Sequence, residues 1–120
     1  MIKRIHHVQI TIPKGAEAIA RTFYCDQLQF EEIEKPDTLK HRGGLWLKLG
    51  EQEIHIGTED DIDRNRTKAH IAYEVQHINN WRSQLIKSGI TIIESIPIPG
   101  YQRFECRDPF GNRIEIIEPL

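Results

Sequence analysis

The sequence predicts an α+β fold built from two βαβββ modules. Two observations predict it. Along the 120 residues, apolar periodicity switches between 2 and 3.6 in the same order twice. Side chains able to bind a metal also recur at matching places in the two copies. The length is that of one ordinary domain. A single domain over residues 1–120 is therefore expected, with module 1 over about 1–57, a linker over 58–66 and module 2 over 67–120.

Residues 4–12 alternate, with Val8, Ile10 and Ile12 on one side and His7, Gln9 and Thr11 on the other, as in a strand with one covered face. Pro13, Lys14 and Gly15 end that strand. Residues 16–28 carry Ile19, Phe23 and Leu28 at helical spacing and predict a helix with that stripe buried. A short strand is expected over 30–33, and Pro36-Asp37 marks a loop. Leu45, Leu47 and Leu49 alternate with Trp46 and Lys48, and a turn at Gly50-Glu51-Gln52 leads into a strand over 53–56. The polar run 58–66 reads as the linker.

The order then restarts. Residues 70–75 alternate, and 78–88 read as a helix closed by Gly89, with Ile78, Trp81, Leu85 and Ile86 inward and His77 at its start. Strands are expected over 90–94, 101–107 and 113–117, the last two joined by the turn Asp108-Pro109-Phe110-Gly111.

The balance of sixteen Lys and Arg against eighteen Asp and Glu gives a net charge of −2, which excludes the basic footprint of a nucleic-acid binder. No window approaches the apolar length of a membrane span. The opening Met1-Ile2-Lys3-Arg4-Ile5-His6 has no apolar stretch after its basic pair, so no secretion signal is expected. Cys25 and Cys106 are too few for a disulfide framework, and a cytoplasmic, reducing location follows as an expectation. No nucleophile elbow or dinucleotide fingerprint occurs, and Gly43-Gly44 lacks the Lys-Ser or Lys-Thr of a phosphate loop.

His7 lies 48 residues before His55, and His70 lies 45 residues before Glu115. In each module the first residue of the pair is on the opening strand and the second on the closing strand. Alternation puts all four on the face opposite the helix. If two such sheets curl into one cleft, three imidazoles and a carboxylate converge. That donor set suits Fe, Ni, Co, Zn or Mn. Taken singly, each is equally a half-buried strand residue with a hydrogen bond. Gln9, Thr11, Trp46, Glu53, Glu74, Arg103 and Glu105 share this face or lie near it. Of these, Gln9, Thr11, Trp46, Arg103 and Glu105 are candidate substrate contacts. Trp46 can stack on a planar substrate or serve packing, and Arg103 can pair with a carboxylate or phosphate or form a surface ion pair. By alternation His6 falls on the helix side.

The doubled βαβββ pattern, the opening His-His-Val-Gln-Ile-Thr-Ile and the closing Asp108-Pro-Phe-Gly-Asn-Arg-Ile-Glu115 resemble the vicinal oxygen chelate superfamily, which includes glyoxalase I, methylmalonyl-CoA epimerase, extradiol dioxygenases, and fosfomycin- and bleomycin-resistance proteins. The resemblance covers essentially the whole chain. It implies a curled mixed-sheet cleft, a divalent transition metal on His7, His55, His70 and Glu115, a small-molecule substrate and a homodimer. His55 stands where glyoxalase I and the epimerase carry Glu or Gln. Glu115 resembles the metal-bound glutamate that also moves a proton in glyoxalase-like members, so it is the candidate catalytic residue. The implied activity is that of a glyoxalase- or epimerase-like lyase or isomerase on a substrate with adjacent oxygens. The alternatives are an extradiol-type dioxygenase using His7, His70 and Glu115, and a non-catalytic drug- or metabolite-binding protein.

Overall fold

A computed structural model describes all 120 residues. The chain divides into two units, Met1–Ile62 and Asp63–Leu120, each with its own four-stranded mixed sheet. The doubled α+β pattern expected from periodicity is the one observed.

In the first unit the strands are β1 (His7–Ile12), β2 (Glu31–Ile33), β3 (Leu45–Leu49) and β4 (Gln52–Thr58), in the order β1-β4-β3-β2. β1 runs parallel to β4, while β3 is antiparallel to both β4 and β2. The parallel pair requires a crossover, and a helix supplies it. α1 (Glu17–Arg21) continues directly into a π-helical turn over Thr22–Gln27, in which the Leu28 amide reaches back five residues to the Phe23 carbonyl. Ala20, Phe23, Tyr24 and Leu28 are buried with Leu45, Leu47, Ile54 and Ile56 from the sheet. Ile19, expected inward, is 55% exposed. The buried stripe is centred on Ala20, Phe23 and Tyr24, and at 3.6 residues per turn Ile19 falls about 90° from that centre.

The second unit repeats the plan with β5 (His70–Glu74), β6 (Ile93–Glu94), β7 (Tyr101–Arg107) and β8 (Arg113–Pro119) in the order β5-β8-β7-β6. Its crossover helix is α2 (Ile78–Lys87). The Glu118 carboxylate accepts hydrogen bonds from the His77 and Ile78 amides, which fixes the helix start against β8. Ile78 and Leu85 are buried, whereas Ile86 is 55% exposed because it lies a quarter turn from Leu85. The Gly89 amide donates to the Ile86 carbonyl and the Ile90 amide to the Leu85 carbonyl, the Schellman pattern at a helix end. That use of Ile90 explains why the strand expected from residue 90 begins only at Ile93.

Residues 4–6, expected in the first strand, lie outside it, because the β1–β4 ladder starts at the His7–Glu53 pair. The Asp108 side chain accepts from the Phe110 and Asn112 amides and from the Asn112 side chain, so the β7–β8 turn carries its own scaffold. Both cysteines are free. Burial pushes the Cys106 thiol up to about 11, which makes it a packing residue and no nucleophile.

Candidate functional site

Strand register places the site residues. In the first sheet His7 is opposite Glu53, and Gln9 and Trp46 flank His55 from either side. These side chains share one face, while Val8, Ile10, Leu45, Leu47, Ile54 and Ile56 share the other. In the second sheet His70 is opposite Arg113, and Ala72 and Glu105 flank Glu115. His55 thus sits two residues beyond the partner of His7, and Glu115 two residues beyond the partner of His70. The duplication holds at the level of single register positions.

The two copies use this geometry differently. In the first unit the rings stack. His55, 5% exposed, lies between Trp46 (centroids 3.9 Å apart, planes at 5°) and His7 (4.0 Å, 18°). Glu53 Oε1 is 2.9 Å from His55 Nε2, and this hydrogen bond holds the Glu53 carboxyl below the usual carboxylate range. An ionised carboxylate only accepts, so in the neutral ring Nε2 carries the proton and Nδ1 the lone pair. His6 Nδ1 lies 3.0 Å from His7 Nδ1. His6 was expected on the helix side, but it precedes the strand, where alternation imposes no direction, and it lines the same cavity as His7.

The cavity measures about 620 Å³ and lies wholly within the first unit, between the polar sheet face and the segment joining β2 to β3. Gln9 and Trp46 line it, and the Gln9 amide lies over Gly57, where an added Cβ would be 2.8 Å from its Nε2. Thr11 donates to Glu59 at 3.2 Å instead. Lys35, Leu39 and Arg42 line the cavity as well. Sequence reading passed over all three. The usable signal was loop length: residues 34–44 join two neighbouring antiparallel strands that a few residues would connect, and long inserts are where function concentrates.

In the second unit the same face is ionic. Glu115, 7% exposed, accepts from Arg103, whose guanidinium also donates to the Ile96 carbonyl. Glu105 accepts from Arg113 at 2.7 and 2.9 Å, and Arg113 thereby holds the Glu105 carboxyl below its ordinary range. His70 Nδ1 is 2.9 Å from the Lys68 carbonyl. A carbonyl only accepts, so Nδ1 carries the proton and the lone pair is on Nε2.

These observations test the donor set for a divalent ion. Histidine ligands are commonly held by a hydrogen bond from their other nitrogen to a carboxylate or carbonyl. His55 and His70 are both held in this way, so the donors fit a borderline transition ion in type and tautomer. Two contacts bear on such an ion. Arg103 competes for Glu115. The His7 and His55 planes are too nearly parallel to share an ion, so His7, exposed at the strand start, is the ring that must turn. Nowhere in the chain do three His, Cys, Asp or Glu side chains gather around one point, so the four expected ligands are not brought together as a set.

No helix is long and apolar enough to cross a membrane. The family described as the Glyoxalase/Bleomycin resistance protein/Dioxygenase superfamily matches residues 4–116. No curated protein matches the chain. Among solved structures, a glyoxalase family protein from Bacillus anthracis is 46% identical, covering 100% of this chain and 98% of its own, with a TM-score of 0.93. A glyoxalase/dioxygenase from Nostoc punctiforme is 19% identical over 98% of this chain and 92% of its own, with a TM-score of 0.82. The E126Q mutant of the fosfomycin resistance protein FosX from Listeria monocytogenes, complexed with Mn(II) and 1S,2S-dihydroxypropylphosphonic acid, is 17% identical over 100% of this chain and 95% of its own, with a TM-score of 0.84. With its doubled βαβββ plan and a family match over nearly its whole length, this chain belongs to the glyoxalase, bleomycin resistance protein and dioxygenase superfamily.

Proposed function

We propose that the chain is a metal-dependent lyase or isomerase of the glyoxalase and epimerase kind. In this reading one domain over residues 1–120 holds a divalent transition ion (Ni, Co, Zn, Fe or Mn) through His7, His55, His70 and Glu115. The observation that carries the reading is the repeated register. Each unit offers two donors from adjacent parallel strands with the same two-residue offset, and two of the imidazoles are already held in a tautomer with a free nitrogen. When bound, the ion supplies Lewis acidity towards two neighbouring substrate oxygens. Gln9, Thr11, Trp46, Arg103 and Glu105 are the substrate-side groups of this reading. Arg103 is suited to a carboxylate or phosphoryl group once it leaves Glu115.

Glu115 is the only carboxylate among the four donors, and it takes up or returns the proton at the carbon beside the chelating oxygens. Glu115→Gln keeps an oxygen donor but loses the base. It is expected to retain a stoichiometric ion by elemental analysis while losing solvent-deuterium exchange at that carbon. Exchange at the wild-type rate in this variant transfers the base role to another group, and wild-type protein without a stoichiometric divalent ion refutes the reading as a whole.

One observation favours a second reading. Because His55 is wedged between two rings, a three-donor set of His7, His70 and Glu115 would leave the open positions that an extradiol-type dioxygenase needs. Oxygen uptake with catechols by the iron-loaded protein would identify it.

The proposed assembly is a homodimer. Ile93, Ile96, Ile98 and Tyr101 are 40–82% exposed within one short stretch of the second unit, an apolar surface that a second copy would cover. Sedimentation should give the dimer mass at micromolar concentration, and a monomer there removes the claim.

A further inference from the structure

The lysine and the arginine lining the cavity of the first unit form no ion pair. The ion pairs of this unit are Arg21–Glu32, Lys40–Glu34, Lys40–Asp37 and His55–Glu53. Lys40, exposed on the same loop, is taken by two carboxylates, whereas Lys35 and Arg42, which line the cavity, take none. Lys35 is half-buried and its ammonium donates to the Gly43 carbonyl, which leaves further N–H donors open. The one carboxylate in the cavity wall, Glu53, is engaged by His55. The loop's acidic side chains therefore meet cations outside the cavity, and its free cations sit at the cavity wall. A charge arrangement of this kind is completed by an anion. The volume of about 620 Å³ falls in the range of small-molecule sites, and the stacked rings of His7, His55 and Trp46 line the same cavity.

We propose that this cavity takes a small organic anion, with its oxyanion head on Lys35 and Arg42 and its body along the His7–His55–Trp46 stack. As the substrate class of the site proposed above, the inference rests on that reading. Binding of the head group, however, needs no metal ion, so the two can fail separately.

The test is run on the full chain in excess chelator, with inorganic phosphate and acetate as probes. Binding is followed by the backbone amide shifts of Gly43 and Gly44 and the indole shift of Trp46. Saturable shifts are expected with at least one probe, and the better probe tells whether the head is phosphoryl or carboxylate. Arg42→Gln, an exposed position where folding is not at stake, should weaken that binding at least about tenfold. Lys35→Gln should do the same, and Lys35→Arg, which keeps the charge, should restore most of it. Absence of saturable binding by either probe, or affinity indifferent to either charge-removing substitution, overturns the proposal. Because the chelator removes metal from every sample, the result is independent of whether the protein binds an ion.

Discussion

Exchanging both His70 and Glu115 for alanine is expected to abolish stoichiometric metal binding while the sheet of the second unit stays folded. The variant removes half of the proposed donors, including the only carboxylate, and the remaining imidazoles of the first unit are stacked in a way that does not chelate. Folding should survive, because the core of this unit is built from the opposite face: Tyr73, Ile78, Leu85, Phe104, Ile114 and Ile116. Some stability is lost, since Glu115→Ala leaves the Arg103 guanidinium with only the Ile96 carbonyl, at a cost of about 1–3 kcal/mol. The single variant His70→Ala avoids that cost and should still weaken the metal severely. In the wild type, binding should weaken as pH falls through the histidine range, because a protonated imidazole has no lone pair to donate. Unchanged metal content in the double variant would falsify this donor set.

Gly44→Ala should be the most destabilising glycine substitution in the first unit. Gly44 has φ +78°, and a Cβ there would lie 2.0 Å from the Ile56 carbonyl oxygen, in the middle of the central strand β4. Neither atom can yield without moving the sheet. The left-handed conformation alone costs about 1–2 kcal/mol, and displacing a buried strand brings the expected loss to about 3 kcal/mol or more. Gly50→Ala is the internal control. With φ +60° and nothing within 4 Å of an added Cβ, it pays the conformational cost only. Denaturant unfolding of the two variants decides the matter: equal losses would mean that the close approach of Gly44 to Ile56 does not constrain the fold.

Much of the fold was legible because a period of 2 and a period of 3.6 leave different marks. β3 and β7 begin and end where alternation begins and ends, and both helices lie where their apolar spacing put them. The errors fall where a second force acts on the backbone. Ile90 is drawn out of its strand by the helix cap, residues 4–6 have no ladder partner, and Ile19 and Ile86 flank their buried stripes instead of centring them. The polar face was legible for the same reason as the core. Alternation that sends Ile54 and Ile56 inward must send His55 the other way.

The sequence by itself therefore determined the doubled architecture and which side chains share a sheet face, because both follow from local periodicity. Only the tertiary structure decided which neighbour each of those side chains meets. That His55 is clasped by Glu53 and stacked between Trp46 and His7, while its counterpart Glu115 is held by Arg103, depends on how strands distant in sequence come into register. That Lys35 and Arg42 line the cavity while Lys40 pairs with carboxylates outside it depends on the path of a loop without periodicity. Local pattern fixes direction within a strand, but partners across strands and the course of a loop are settled by packing, which no short stretch of sequence encodes alone.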